Sequence, residues 1–192
     1  VGPNSIPTKV LKNFKHQFSI PLTLVINMSL STGSFPIPLK HAKVIPVYKK
    51  GDELDCNNYR PISLLSNISK IIEKLVHKQL YLFLIRNDCL CEYQFGFRNQ
   101  HSTKHALISI TEKIRQSLDS NMFACGVFRD FQKAFDTVNH QILLDKMEHY
   151  GIRGICRNWF ESYLRDRTQF VAINNSKSDT LPINYGVPQG SV

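Results

Sequence analysis

A carboxylate at the end of an apolar run is the part of this sequence best suited to chemistry. Residues 122–130 are mostly apolar and predict a buried central strand that ends at Asp130. Magnesium prefers oxygen ligands, usually one or two carboxylates together with phosphate oxygens and water. A carboxylate at the end of a rigid strand could therefore hold a metal ion. An isolated aspartate is more often a helix cap or a turn residue, so this interpretation depends on other motifs.

Two further segments have the composition of phosphate or nucleotide contacts. The glycine-rich loop of residues 186–191 allows a close approach of the backbone to another molecule. Residues 42–48 and 59–64 predict a basic β-hairpin, in which Arg60 stands beside a proline. A Pro-Gln-Gly turn is common by itself, and a charged hairpin turn can simply be solvated. Solvation alone does not explain the position of Arg60.

In this order and spacing, the motifs resemble the reverse transcriptase domain of non-LTR (LINE-like) retrotransposons of the jockey type, over nearly the whole chain. The matching segments are residues 2–7, 42–52, 58–65, 94–103, 127–138 and 185–192. The next motif of that family would carry two adjacent aspartates, and the sequence ends before it. We therefore expect the chain to be a piece of a longer open reading frame, and we expect this piece alone not to polymerise.

The resemblance implies a role for each motif residue in nucleotidyl transfer, in which two divalent metals activate a 3′-hydroxyl and stabilise the leaving pyrophosphate. It implies that Asp130 is the catalytic carboxylate and a ligand of Mg²⁺. It also implies that Phe135 is a steric gate against the ribose 2′-hydroxyl, although the residue could be an ordinary core phenylalanine. The other implied contacts are to the incoming nucleotide through Lys49, Arg60, Phe131 and Gln189, and to nucleic acid through Arg98, Gly186 and Gly190.

The charge of the chain fits a polyanionic partner. Its 192 residues carry 24 Lys and Arg against 15 Asp and Glu, a formal net charge of +9, which favours phosphate contacts. With the resemblance, the implied partners are an RNA template, a DNA primer and deoxynucleoside triphosphates, with no membrane. The five scattered cysteines argue against a zinc site or a disulfide framework and fit an intracellular location. Nuclear action is implied by the family only.

The pattern of elements predicts an α/β (α+β) fold, with the split sheet and packed helices of right-handed polymerase fingers and a partial palm. Residues 1–120 correspond to the fingers and the N-terminal motif, and residues 121–192 correspond to the N-terminal part of the palm. Pro46 predicts that its strand lies at a sheet edge. The predicted helices are 7–16, Pro21 to Gly33, 67–85, 106–118 capped by Ser102 or Thr103, Asn139 to Gly151 and 155–163, and the predicted strands are 42–48, 59–64, 122–130, 169–173 and 180–185.

One position departs from the family. Arg129 stands where the family usually has an apolar residue, and strand alternation places it opposite Asp130, on a face that packs against helices. A buried unpaired charge there would cost several kcal/mol. The alternative function is therefore a non-catalytic nucleic-acid-binding remnant of a decayed or domesticated element. Asp136 is interpreted, with Asn139, as a helix cap and not as a second metal ligand.

Overall fold

The computed structural model describes residues 2, 3 and 5–188. The chain divides into two compact units, residues 1–80 with 133–192 and residues 81–132. Within the described residues the elements are α1 (Thr8–Asn13), α2 (Lys15–Thr32), a 3₁₀ helix (Ile37–Leu39), β1 (His41–Tyr48), a second 3₁₀ helix (Cys56–Asn58), β2 (Tyr59–Leu64), α3 (Asn67–Arg86), α4 (Thr103–Asp119), α5 (His140–His149), α6 (Ile155–Leu164), β3 (Arg167–Ile173), β4 (Ser176–Lys177) and β5 (Leu181–Ile183). The mixed α/β fold predicted from the sequence is confirmed.

The sheet of the first unit places β1 inside and not at the edge. Its order is β2-β1-β3-β4, β5 also pairs with β3, and β1 runs antiparallel to β2 and parallel to β3. The edge position predicted from Pro46 is therefore wrong.

The hydrogen-bond pattern of the hairpin explains why this proline is tolerated. The Lys49 amide donates to the Asn58 carbonyl at 2.8 Å. Because hydrogen-bonded pairs alternate along an antiparallel ladder, Pro46 and its partner Pro61 fall at a position where neither amide would face the other strand. On its other side, β1 pairs with β3 only as far as Val44, so the missing amide of Pro46 interrupts neither ladder.

The hydrophobic core of the first unit joins α2, α3 and α6. Ile26, Phe35, Ile72 and Trp159 are buried together, and the Phe35 and Trp159 rings meet edge to face with centroids 5.5 Å apart. The indole Nε1 of Trp159 donates to the Ser29 hydroxyl at 2.9 Å. A buried donor left without an acceptor is costly, so this bond fixes how α2 and α6 pack.

A buried polar cluster lies beside this core. Arg167 is 1% exposed and Glu73 is 6% exposed. The Arg167 guanidinium lies 4.8 Å from the ring centroid of Tyr163, and its Nη1 donates to the Tyr163 carbonyl. Glu73 Oε1 accepts from the hydroxyls of Ser69 and Tyr163 at 2.9 and 3.2 Å. Burial raises the pKa of Glu73 and lowers the pKa of Arg167, because it disfavours the charged form of each.

The helix boundaries agree with the predictions except at the end of α1, which stops at Asn13 and not at residue 16, and at the start of α2. Gly33 ends α2 in the left-handed conformation, and the side chains of Ser102 and Asn139 cap α4 and α5. The predicted helix start at Pro21 is wrong, because α2 begins at Lys15 and contains this proline. Because Pro21 has no amide hydrogen, the carbonyl of Gln17 lacks its helical hydrogen bond. Gln17 is exposed, so water can hydrate this carbonyl.

The second unit contradicts the prediction of a buried strand. Residues 122–130 form no helix or strand, and all of them are exposed, with Phe123 at 104% and Phe128 at 88%. A strand is buried only when neighbouring strands supply its hydrogen bonds and cover its faces, and no described strand pairs with this segment. Arg129 is exposed as well. The expectation of a buried charge is therefore wrong, and the argument that the element has decayed loses its basis.

Candidate nucleotide and nucleic-acid site

Two loops of the first unit are held together by backbone hydrogen bonds. The Gly186 amide donates to the Val138 carbonyl, and the Val187 amide donates to the Phe135 carbonyl, both at 2.8 Å. The Nε2 atom of His140 lies 2.7 Å from the Gly186 carbonyl oxygen. Phe135 and the glycine-rich loop, about fifty residues apart in the sequence, are thus brought to one place by contacts within the chain.

The conformation of Gly186 shows why no other residue fits there. Its φ is 82°, and an added Cβ would lie 2.7 Å from the Asp136 carbonyl oxygen. Both the left-handed backbone and the close approach of the two loops therefore require glycine. The sequence predicted that Gly186 admits nucleic acid, and the structure supplies a reason for this glycine inside the protein.

A cleft of about 160 Å³ lies where the glycine-rich loop faces the hairpin. Its lining comes from β2, β3, β5 and both loops: Pro61, Ser63, Asp136, Gln169, Ile183, Tyr185, Gly186, Val187 and Pro188. The lining contains both polar and apolar residues, and the cleft opens to solvent. The hairpin and the loop, which the sequence could relate only through the resemblance, share one surface.

The tip of the hairpin is ordered by hydrogen bonds of its own. The Tyr48 hydroxyl donates to the Gly51 carbonyl at 2.7 Å, and the Asn58 side chain donates to the Asp52 carbonyl at 2.9 Å. This leaves the side chains of Lys49 and Arg60 exposed at the base of an ordered turn. Neither side chain forms an ion pair with any residue that the structure describes, so both charges are available to an anionic ligand.

Asp130, Phe131 and Arg98 belong to the second unit. Asp130 is exposed and forms no ion pair among the described residues, and Phe131 is 76% exposed. Arg98 Nη1 donates to the Cys91 carbonyl at 2.9 Å and closes a loop. In the part of the chain that the structure describes, no three or more His, Cys, Asp or Glu residues group together to hold a metal ion. Gln189 and Gly190 lie outside the described residues.

Comparison with known proteins decides the family. Residues 47–192 match the family of reverse transcriptases (RNA-dependent DNA polymerases). The chain belongs to the reverse transcriptase family.

Three relatives of this reverse transcriptase chain come from mobile elements of Drosophila melanogaster. All of the chain aligns with a probable RNA-directed DNA polymerase from transposon BS of Drosophila melanogaster at 35% identity, and with the RNA-directed DNA polymerase from mobile element jockey of the same species at 36%. The corresponding protein of the X-element is 32% identical over the same extent. These matches confirm the resemblance to the jockey type and do not favour the remnant alternative. The chain spans about a fifth of the length of each relative.

Sequence reasoning missed two residues around the cleft of this reverse transcriptase chain. His140, at the first position of α5, reaches the Gly186 carbonyl, and Gln169 on β3 lines the cleft. Neither residue stands in a motif whose spacing could have singled it out, because both reach the site through tertiary packing. Asp136 lines the cleft, and Asn139 is the N-cap of α5. No helix in the described ranges is long and apolar enough to cross a membrane.

Proposed function

We propose that this chain supplies the fingers, residues 1–120, and the N-terminal part of the palm, residues 121–192, of an RNA-directed DNA polymerase. The observation that carries the proposal is the shared cleft, in which the hairpin faces the glycine-rich loop while that loop is bonded to the segment around Phe135. In the proposed role, an incoming deoxynucleotide occupies this cleft between its triphosphate contacts and its sugar contacts. Nuclear action is part of the proposal and rests on the family resemblance.

The triphosphate contacts are assigned to the hairpin. Arg60 offers a planar fork of donors that matches phosphate oxygens, and Lys49 adds a point charge. Both side chains are exposed and unpaired among the described residues, so binding a nucleotide would break no ion pair within that part of the chain. Gln189, which follows the described part of the loop, is assigned a contact with the nucleotide. Phe131 and Phe135 are assigned to its sugar.

The family implies a divalent metal, and the donor chemistry of Asp130 suits Mg²⁺. An exposed carboxylate with no ion pair in the described part of the chain is a hard oxygen ligand. Magnesium sites in nucleotide-processing enzymes often use one or two carboxylates and take their other ligands from phosphates and water. We assign Asp130 as the ligand that this chain contributes. When bound, the metal would stabilise the negative charge that develops during phosphoryl transfer.

The RNA template and the DNA primer are assigned to Arg98 and to the glycine-rich loop with Gly186 and Gly190. One donor of Arg98 is engaged by the Cys91 carbonyl, which leaves most of its five N–H groups for backbone phosphates. Backbone amides in a glycine-rich loop can approach a nucleic-acid strand closely. Contacts of this kind hold a template–primer in place with little dependence on its sequence.

The test measures binding of a fluorescent dTTP in the presence of poly(A), oligo(dT) and Mg²⁺. Arg60→Gln is expected to weaken binding about tenfold or more, since a hydrogen bond to a charged group contributes roughly 1.5–3 kcal/mol. Arg86→Gln at the end of α3 is the matched control, because Arg86 is also exposed and likewise forms no ion pair in the described residues. Equal losses in the two variants would contradict the assignment of Arg60.

A further inference from the structure

A groove between α1 and α3 carries a concentration of lysines that the proposed nucleotide site does not use. It measures about 540 Å³, and its floor contains Leu11 and Ile71. The remaining lining residues are Thr8, Lys12, Lys15, Asn67, Lys70 and Lys74. We call it the lysine groove. It shares no lining residue with the cleft beside the glycine-rich loop, and both belong to the first unit.

The lysines of the groove have no ion-pair partner among the described residues. The first 51 residues of the chain contain seven lysines and no acidic residue. The single acid of α3, Glu73, is buried on the core side, where it bonds to Ser69 and Tyr163. None of the four groove lysines forms an ion pair with a described residue. Four adjacent unpaired cations repel one another, so an anion bound among them would relieve that repulsion.

The groove is built in advance by the segment that precedes α1. The Asn67 amide donates to the Ser5 hydroxyl at 3.0 Å, and the Asn67 side chain donates to the Ile6 carbonyl at 2.7 Å. Gly2 packs so closely that an added Cβ would lie 2.4 Å from the carbonyl carbon of Leu65. These contacts tie the chain before α1 to the start of α3. The walls of the groove are therefore positioned without a ligand, which reduces the entropy lost on binding.

The chemistry of the lining favours one kind of ligand. Lysines are point charges on flexible stems and suit phosphates whose spacing varies, whereas planar recognition of a base or a carboxylate favours arginine. Lys70 and Lys74 stand one helical turn apart, about 6 Å along the axis of α3. The lysine stems can lie along the apolar floor while their ammonium groups face outward. Thr8 and Asn67 add polar groups that can bond a 2′-hydroxyl.

We propose that the lysine groove binds the sugar–phosphate backbone of a single strand of RNA, at a site separate from the nucleotide cleft. The proposal goes beyond the proposed function, and only the choice of RNA over DNA draws on it. Because contacts to the sugar–phosphate backbone carry no base information, binding depends little on sequence. Neutralising phosphates releases counterions, so binding weakens steeply as the salt concentration rises.

The test compares two double variants of the chain by fluorescence anisotropy with a labelled single-stranded RNA of about 20 nucleotides and mixed sequence. Lys12→Gln with Lys74→Gln removes one charge from each wall of the groove. Lys104→Gln with Lys146→Gln removes the same charge from exposed positions on α4 and α5. The first variant, called the groove double, is expected to lower the affinity for RNA about tenfold. It should also reduce the slope of log affinity against log salt concentration by about 1.4, because each of the two phosphates that it no longer neutralises contributes about 0.7. The control double is expected to change affinity by less than about threefold, as a small loss of general attraction.

Three outcomes would overturn the proposal. Equal losses in the two doubles would mean that the net charge binds RNA without a groove. An unchanged affinity in the groove double would exclude the site. Equal affinity of the parent for a DNA strand of the same sequence would overturn the choice of RNA. Thermal melts of both doubles should match the parent, because all four lysines are exposed or half-exposed.

Measuring dTTP binding by the same variants tests the lysine groove and the proposed function independently. The groove double is expected to retain the dTTP affinity of the parent, and Arg60→Gln is expected to retain the groove-dependent part of RNA binding. If the groove double loses RNA binding as expected but Arg60→Gln leaves dTTP binding unchanged, only the proposed function is overturned. Loss of dTTP binding in the groove double would overturn the separation of the two sites.

Discussion

The loops around Gly186 and the segment around Asp130 are held by their units in very different ways. In the first unit, backbone hydrogen bonds, a glycine in close contact with Asp136 and a buried core fix the loops. In the second unit, α4 has no buried residue and residues 122–131 are all exposed. Contacts within this chain are therefore enough to build a cleft of about 160 Å³ beside the glycine-rich loop. No described strand pairs with the carboxylate segment, so its position is not fixed in the same way.

The largest expected effect is that of Gly186→Ala, which forces a side chain into a left-handed backbone and against Asp136. We expect the free energy of unfolding to fall by about 2–4 kcal/mol, since backbone strain alone costs about 1–3 kcal/mol. Urea unfolding followed by circular dichroism measures the change. The control is Gly96→Ala in the second unit, where an added Cβ meets nothing within 4 Å, and its effect should stay within about 0.5 kcal/mol. Similar losses at both glycines would remove the contrast between the units.

Ser29→Ala is expected to have the next largest effect. It leaves the buried Nε1 of Trp159 without its acceptor, and an unsatisfied buried donor costs about 1–3 kcal/mol. Ser117→Ala is the counterpart on α4, because that hydroxyl donates to the Lys113 carbonyl of its own helix, at an exposed position. This variant should be neutral or slightly stabilising, since alanine is the better helix former. Chemical denaturation of both variants decides the matter, and a neutral Ser29→Ala would show that Trp159 has another partner.

The dependence of stability on pH should have opposite signs in the two units. Burial raises the pKa of Glu73 above its ordinary 4.5, although bonds from Ser69 and Tyr163 and the charge of Arg167 oppose the shift. The folded state then binds the proton more tightly than the unfolded state, so this contribution to stability is complete below pH 4.5 and is lost as the pH rises through the folded pKa. Relative to the parent, the melting temperature of Glu73→Gln should therefore increase as the pH rises above 4.5.

Glu112 on α4 provides the contrast. Hydrogen bonds from Arg115 and Gln116 lower its pKa below the ordinary 4.5, so its contribution is present above that value and is lost as the pH falls through the folded pKa. Relative to the parent, Glu112→Gln should lose stability as the pH rises toward 4.5. Melting curves of both variants across the acid range provide the test, and slopes of the same sign would contradict one of the two assignments.

The smallest expected effect is that of Arg129→Leu. The side chain is exposed and forms no ion pair with a described residue, so the free energy of unfolding should change by no more than about 0.5 kcal/mol. Thermal melts measure this. A stabilisation of several kcal/mol would show that Arg129 is buried after all, and would restore the strand that the sequence predicted.

Local patterns in the sequence were sufficient for several elements. The apolar spacing along residues 67–85 predicted α3, and Ser102 and Asn139 capped α4 and α5 as expected. The turn after Tyr48 predicted the hairpin, which pairs from Lys43 with Leu64 to Tyr48 with Tyr59. Caps, turns and helical spacing act within a few residues, so a sequence displays them directly.

The sequence by itself determined the family, the helices and the side chains that could bind nucleotide and phosphate. Only the tertiary structure decided that β1 is an internal strand, that Gly186 fits against Asp136, that His140 reaches the loop and that residues 122–130 are uncovered. The physical reason is that burial and strand pairing are properties of two partners, and the partners here are more than forty residues apart. An apolar run indicates that a segment could be buried, but the fold determines whether another element packs against it.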